Sequence, residues 1–226
     1  MANCCNPRGC DEFFSSHFAQ RMAKRYRKRG LDKTARRIVE FLETRGIEGA
    51  SVLEIGGGVG EIQLELLKRG ADHTVNLELS PAYDREAERL LDEAGLRDRA
   101  DRRLHDIAVD PEGVEPADVV VLHRVVCCYP DYERLLGAAA DRAKRLLVFS
   151  HPRRNPASRT FVAAQNLFFR LSRREFRTFT HPPAAMLAVL ETRGLQPSAG
   201  HSGLAWQVAG LERPLSAGAL FATSPT

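Results

Sequence analysis

Nine consecutive residues, Val52-Leu53-Glu54-Ile55-Gly56-Gly57-Gly58-Val59-Gly60, join an apolar run to a carboxylate and a set of glycines. The apolar run reads as a strand, and glycines at its end let a ligand approach the backbone closely. A second acid, Glu78, follows 18 positions after Gly60. This is the chemistry of a nucleotide-type cofactor site, and two rival forms of it fail on the residues. A dinucleotide fingerprint needs a third small residue for close helix–strand packing. That place falls on Glu61 counted from Gly56, or on Gln63 counted from Gly58, and both are large. A phosphate-binding loop needs Gly-Lys-Ser/Thr after its glycines, and none follows. The bland alternative is a glycine-rich strand-to-helix turn that binds nothing.

The strand, its acid, the glycines and Glu78 together resemble the S-adenosylmethionine site of class I methyltransferases. The resemblance implies a Rossmann-like α/β fold with a seven-stranded sheet, mostly parallel and finished by an antiparallel edge hairpin. It also implies roles for named residues. Gly56, Gly58 and Gly60 would pass under the methionine and ribose of the cofactor. Glu54 would orient the loop or reach the ammonium through water. Glu78 would accept from two ribose hydroxyls, for which a carboxylate is well shaped. Asp106, in His105-Asp106-Ile107, resembles the acid that accepts from the adenine amino group, and Ile107 would pack on the adenine face.

The acceptor side rests on His123-Arg124-Val125-Val126-Cys127-Cys128-Tyr129-Pro130, which follows the fourth strand. Methyl transfer is an in-line displacement governed by positioning, with a base needed when the nucleophile carries a proton. His123 is the first candidate for that base, with a backbone-bonded strand-end histidine as the alternative. Tyr129 is a candidate to orient the acceptor or bind the cofactor carboxylate. His151, at the end of the fifth strand, is the second base candidate, and Arg153 and Arg154 beside it suit an anionic acceptor. Cys128-Tyr129-Pro130, His151-Pro152-Arg153 and His181-Pro182 resemble, distantly, the magnesium-protoporphyrin O-methyltransferases. Cys128 stands where that family has histidine, which separates the acceptor chemistry of the two.

Five cysteines offer a competing reading. Cys4, Cys5 and Cys10 fall within seven residues, and Cys127 and Cys128 are adjacent. Converging thiols would bind zinc, an iron–sulfur cluster or a soft metalloid, and the alternative is a non-catalytic or metal- or metalloid-handling protein on the same fold. Their spacing matches no common zinc pattern. The odd count argues against a secreted disulfide framework.

The elements that must carry these residues alternate regularly. A helix over 11–29 sets Phe14, Phe18, Met22 and Tyr26 on one side and Lys/Arg on the other. Asp32 caps a second helix reaching Thr44. Strands are expected at 51–55, 73–79, 100–105, 118–122 and 145–150, with helices between them, so the sheet is parallel with right-handed crossovers. Pro152 and Pro156 interrupt the pattern before a basic-aromatic helix over 158–171. A helix from Pro182-Pro183 and strands at 196–201 and 205–211 complete the chain. Three regions are expected: 1–46 with the cysteine motif and a helical lid, 47–213 as the catalytic domain, and a loose tail over 214–226.

Net charge is +4 over 226 residues, concentrated in the first helix and in Arg153, Arg154, Arg159, Arg170, Arg173, Arg174 and Arg177. Aromatics in the first helix fall at core spacing and form no exposed stacking platform, so nucleic acid is not the expected partner. No apolar run reaches the length of a membrane span and no signal-peptide layout opens the chain. The expectation is a cytoplasmic, S-adenosylmethionine-dependent methyltransferase, with no membrane partner, acting at O, S or N of a small, anionic acceptor.

Overall fold

The computed structural model describes residues 13–214. Cys4, Cys5, Cys10 and the tail after position 214 lie outside the described residues. Two helices come first, α1 (Ser16–Arg29) and α2 (Lys33–Thr44). Ser15 caps α1 by accepting from Phe18 N, and the Asp32 carboxylate caps α2 by accepting from Thr34 N and Ala35 N. The alternating part follows as β1 (Ser51–Ile55), α3 (Glu61–Lys68), β2 (His73–Glu78), α4 (Asp84–Ala94), β3 (Ala100–Leu104), β4 (Ala117–Leu122), α5 (Tyr132–Arg142) and β5 (Ala143–Pro152). After it come α6 (Pro156–Leu171), α7 (Pro183–Thr192), β6 (Gln196–Ser202) and β7 (Trp206–Glu212).

The seven strands form one sheet in the order β3-β2-β1-β4-β5-β7-β6. The pairs β3–β2, β2–β1, β1–β4 and β4–β5 are parallel, and β7 is antiparallel to both β5 and β6. The chain order reverses between β1 and β4, the switch point at which such sheets bind ligands. Side chains alternate across the sheet with period two. Val52, Val119, Val121, Leu146 and Val148 pack with α1 to α4 on one face. Leu53, Val120, Leu122, Leu147 and Phe149 pack with α5 and α7 on the other.

Three of the element boundaries that differ from the sequence reading have identifiable reasons. The helix expected over 11–29 begins at Ser16, because the backbone is extended at Ser15, whose side chain caps it. Pro156 opens α6 and does not interrupt it: Asn155 forms a capping box with Ser158, and proline suits the first helical turn, where no N–H partner is needed. Strand β5 extends to Pro152 because β7 supplies pairing as far as Trp206. The polar composition of β3 follows from its place at the sheet edge. Its Arg102 reaches back, ion-paired to Asp84 at 2.6 Å and donating to the Gly58 carbonyl at 2.9 Å.

Among the described residues, no helix is long and apolar enough to cross a membrane.

Candidate active site

A cavity of about 600 Å³ lies beyond the carboxyl ends of β1, β2 and β4. Its floor is the turn from β1 to α3. Gly56 and Gly58 have φ of 66° and 57°, and a Cβ on Gly56 would meet Val125 Cγ2 at 2.5 Å. Gly57 has an ordinary φ, yet its Cβ would come within 2.7 Å of the Glu54 carboxyl carbon. Glycine at 57 is therefore required by space alone, a demand invisible in the spacing of the motif. Gly60 takes a left-handed φ of 75° as the N-cap of α3 and shapes the turn without joining the cavity wall.

Two buried acids organise that floor. Glu54 accepts from Gln63 N at 3.2 Å and Asn76 Nδ2 at 3.4 Å. Burial, with the nearby Glu61 and Glu78 charges, pushes its carboxyl up to about 8 against the Gln63 N–H and Arg102. Glu78 accepts from Gly58 N at 2.9 Å through Oε2, and from Leu79 N at 2.9 Å and Ser80 N at 3.3 Å through Oε1. Asp106 accepts from Ala108 N at 3.0 Å and from the Tyr129 hydroxyl at 3.1 Å, and Ile107 is buried beside it in the wall. Tyr129 thus sits with Asp106, at the end of the cavity expected to take a base.

The segment after β4 supplies the opposite wall. His123 Nδ1 lies 3.0 Å from Ser150 Oγ, which also accepts from Arg124 N at 2.9 Å. Ser150 is fully buried, so its one hydroxyl proton goes to His123 Nδ1, and the ring carries its own proton on Nε2. Burial, with the adjacent Arg124 charge, brings the imidazole down to about 3. His123 is neutral across the physiological range.

Sequence reasoning missed a charged chain beside His123. Arg25 of α1 is 3.3 Å from Glu61 and 3.7 Å from Asp32, and Asp32 is 2.8 Å from Arg124. Burial would raise the Asp32 carboxyl, but the Ala35 N–H, the Arg124 charge and the Thr34 N–H outweigh it and hold the group low. Arg124 takes a left-handed φ of 60° and lays its guanidinium 4.9 Å over Trp206. The Asp-Lys-Thr-Ala cap signal locates Asp32, but nothing in the sequence pairs it with a residue 92 positions away. From α1, Phe14 at its approach and Phe18, Arg21, Met22 and Arg25 on its length line the remaining wall.

Other candidates fall elsewhere. His151 is buried, donates Nδ1–H to the Pro152 carbonyl at 3.0 Å, stacks on Phe149 and is absent from the cavity wall. Arg153, Arg154, Arg159, Arg170, Arg173 and Arg174 are exposed and also off the wall. Cys127 and Cys128 occupy one turn with sulfurs 3.6 Å apart, and Cys128 lines the cavity. The hydrogen bond from the Cys128 thiol lowers the proton affinity of Cys127 despite burial; both residues are reduced. Among the described residues no group of three or more His, Cys, Asp or Glu side chains is placed to hold a metal ion.

A family profile described as a methyltransferase domain matches residues 22–198. Among solved structures, magnesium protoporphyrin IX methyltransferase from Synechocystis PCC 6803 with bound SAH superposes with a TM-score of 0.71 at 18% identity, covering 90% of this chain and 97% of that one. An O-methyltransferase family protein from Burkholderia thailandensis matches with a TM-score of 0.66 at 19% identity, over 87% of this chain and 58% of that one. Geranyl diphosphate C-methyltransferase from Streptomyces coelicolor A3(2), in complex with Mg2+, geranyl diphosphate and S-adenosyl-L-homocysteine, gives 0.62 at 15% identity, over 78% of each chain. No functionally curated protein matches by sequence.

Proposed function

The chain belongs to the methyltransferase-domain family, as an S-adenosylmethionine-dependent enzyme, and from that premise we propose that its acceptor is a small anionic molecule methylated at an already deprotonated atom. The residues fit the cofactor. Gly56 and Gly57 leave a cradle that any Cβ would fill, and Glu78 and Asp106 present carboxylates at β2 and β3, where ribose and adenine are read in this fold. When bound, S-adenosylmethionine supplies a methyl group on a sulfonium, poised for attack.

The chain's own residues then position the partners. Glu78 Oε1 already accepts two N–H groups, and Oε2 accepts one and keeps one lone pair. Gripping two hydroxyls therefore means that one backbone donor gives way. Tyr129 holds Asp106 from the side. His123, neutral with its proton on Nε2, is suited to donate to an anionic acceptor and poorly suited to remove a proton. That is the reason for placing the nucleophile's deprotonation before binding.

The observation that carries the anionic reading is Arg21. It lines the cavity between Phe18 and Met22, and no carboxylate of the described residues pairs with it. Arg25 and Arg124 add positive charge to the same cavity but are paired, Arg25 with Asp32 and Glu61 and Arg124 with Asp32. The test is methyl transfer, followed by product release, across a panel of carboxylates, thiols, phenols and amines, with wild type and Arg21→Ala. The expected result is turnover of anionic acceptors and a KM raised at least about tenfold in the variant, with cofactor Kd unchanged. Turnover restricted to neutral or cationic acceptors would sink the proposal. A weakened cofactor Kd with unchanged acceptor KM would assign Arg21 to the cofactor and remove the support.

A further inference from the structure

The exposed large apolar side chains of the described residues are Leu104, Val109, Phe161, Leu167, Phe168, Leu171 and Leu204. All lie on the side of the sheet where the cavity is. Leu104 ends β3 and Val109 follows it; α6 leaves the carboxyl end of β5. Leu204 is at the β6–β7 hairpin tip, where Trp206 pairs with Pro152 and Arg153 N donates to the Ala205 carbonyl at 2.8 Å.

Helix α6 carries most of them, and its periodicity makes one stripe. Phe161, Ala164, Phe168 and Leu171 recur at intervals of three, four and three, which keeps them on one face, with Leu167 beside them. Their outward exposure is 67% for Phe161, 59% for Phe168 and 74% for Leu171. The opposite face is the packed one: Phe169 is buried against Phe13 and Phe176, and Asn166 bonds Thr178. Exposed arginines lie on the helix at Arg159 and Arg170 and in the chain just before and after it at Arg153, Arg154, Arg173 and Arg174, and Glu175 is the one acid from 153 to 177.

We propose that α6 and the Leu204 hairpin tip form a docking face for an anionic lipid bilayer, on which the apolar stripe enters the headgroup boundary and the arginines meet lipid charge. A helix with Phe and Leu outward, arginine flanks and too few apolar residues to span is built to lie in the interface. Charge selects this occupant over a second copy of the chain, because a symmetric pairing of α6 would bring its arginines together. An acidic surface instead gains from all of them. The expectation of no membrane partner came from the lack of a spanning run, a criterion that does not test for an interfacial helix.

Flotation of the full chain with vesicles of phosphatidylcholine alone, and of phosphatidylcholine with phosphatidylserine at two to one, tests this directly. Expected is strong binding to the anionic vesicles, at least tenfold less to the neutral ones, and a decline with salt. Phe168→Glu with Leu171→Glu should lose at least tenfold of the anionic binding while keeping the thermal transition and cofactor affinity of wild type. No flotation of wild type, or equal flotation of the double variant, overturns the proposal. So does a dimer in sedimentation that the double variant dissolves without any vesicle binding, which would make the stripe a self-interface.

Discussion

Gly58 N donates to Glu78 Oε2 over 2.9 Å, so the glycine turn after β1 and the acid at the end of β2 are one unit before any cofactor arrives. The carboxylate anchors three backbone N–H groups, two of them in its own strand end. Replacing Glu78 by Ala leaves those donors without their acceptor. The expected result is a loss of about 2 kcal/mol of stability together with at least about tenfold weaker S-adenosylmethionine binding, read by denaturant unfolding and calorimetry. Cofactor binding unchanged in a folded Glu78→Ala protein would contradict the assignment.

Space and backbone conformation can be separated at two glycines. Gly57→Ala drives a methyl against the Glu54 carboxyl and should cost roughly 2–3 kcal/mol, with loss of cofactor binding. Gly95→Ala, at φ 66° with nothing within 4 Å, should cost only about 1 kcal/mol and leave cofactor binding intact. Thermal denaturation of the two variants side by side makes the comparison.

Two buried groups give opposed pH dependences of stability. The folded His123 imidazole falls from 6.5 to about 3 because of burial, so the unfolded chain takes up a proton that the folded one refuses. Its contribution is present above pH 6.5 and is lost as pH falls toward 3. Glu54 runs the other way: burial raises it from 4.5 to about 8, so stability present below pH 4.5 is lost as pH rises through 8. Between pH 6.5 and 8 only Glu54 changes of the two. The Tm of wild type should decline there, and Glu54→Gln, which copies the neutral acid, should flatten that decline.

The His123 arrangement also predicts the pH profile of catalysis. With the ring neutral well below neutrality, the rate for a fully ionised acceptor should show no His123 inflection between pH 6 and 9. A proton-bearing acceptor should follow its own ionisation. An inflection near pH 6.5 that disappears in His123→Gln would return the histidine to the role of base.

Arg173 ends α6 in a left-handed conformation, φ 56°, with Arg173 N on the Arg170 carbonyl and Arg174 N on the Phe169 carbonyl. Glycine fits such a helix end better than any side chain. Arg173→Gly should therefore stabilise the protein by up to about 1 kcal/mol and at the same time weaken binding to anionic vesicles. Differential calorimetry and flotation on one preparation read both effects.

Much of this was legible because it is local. Apolar runs located β1, β4 and β5, since strands covered on both faces bury mostly apolar side chains, and Asp32 announced the start of α2 through the capping chemistry of its own side chain. The strand-end acids Glu54, Glu78 and Asp106 and the glycines Gly56 and Gly58 follow from position in such a sheet, and the cavity contains all five. The sequence by itself could not place what depends on residues far apart in the chain. The crowding at Gly57 comes from Glu54 and Asn76, the neutrality of His123 chiefly from burial, and the sharing of Asp32 by Arg25 and Arg124 from a helix folding across a strand end. His151 has the right type and the right strand end, yet it stacks on Phe149, turns to the Pro152 carbonyl and stays off the cavity wall. Local propensity and burial pattern choose the elements; which side chains meet is decided only when packing sets their register and facing.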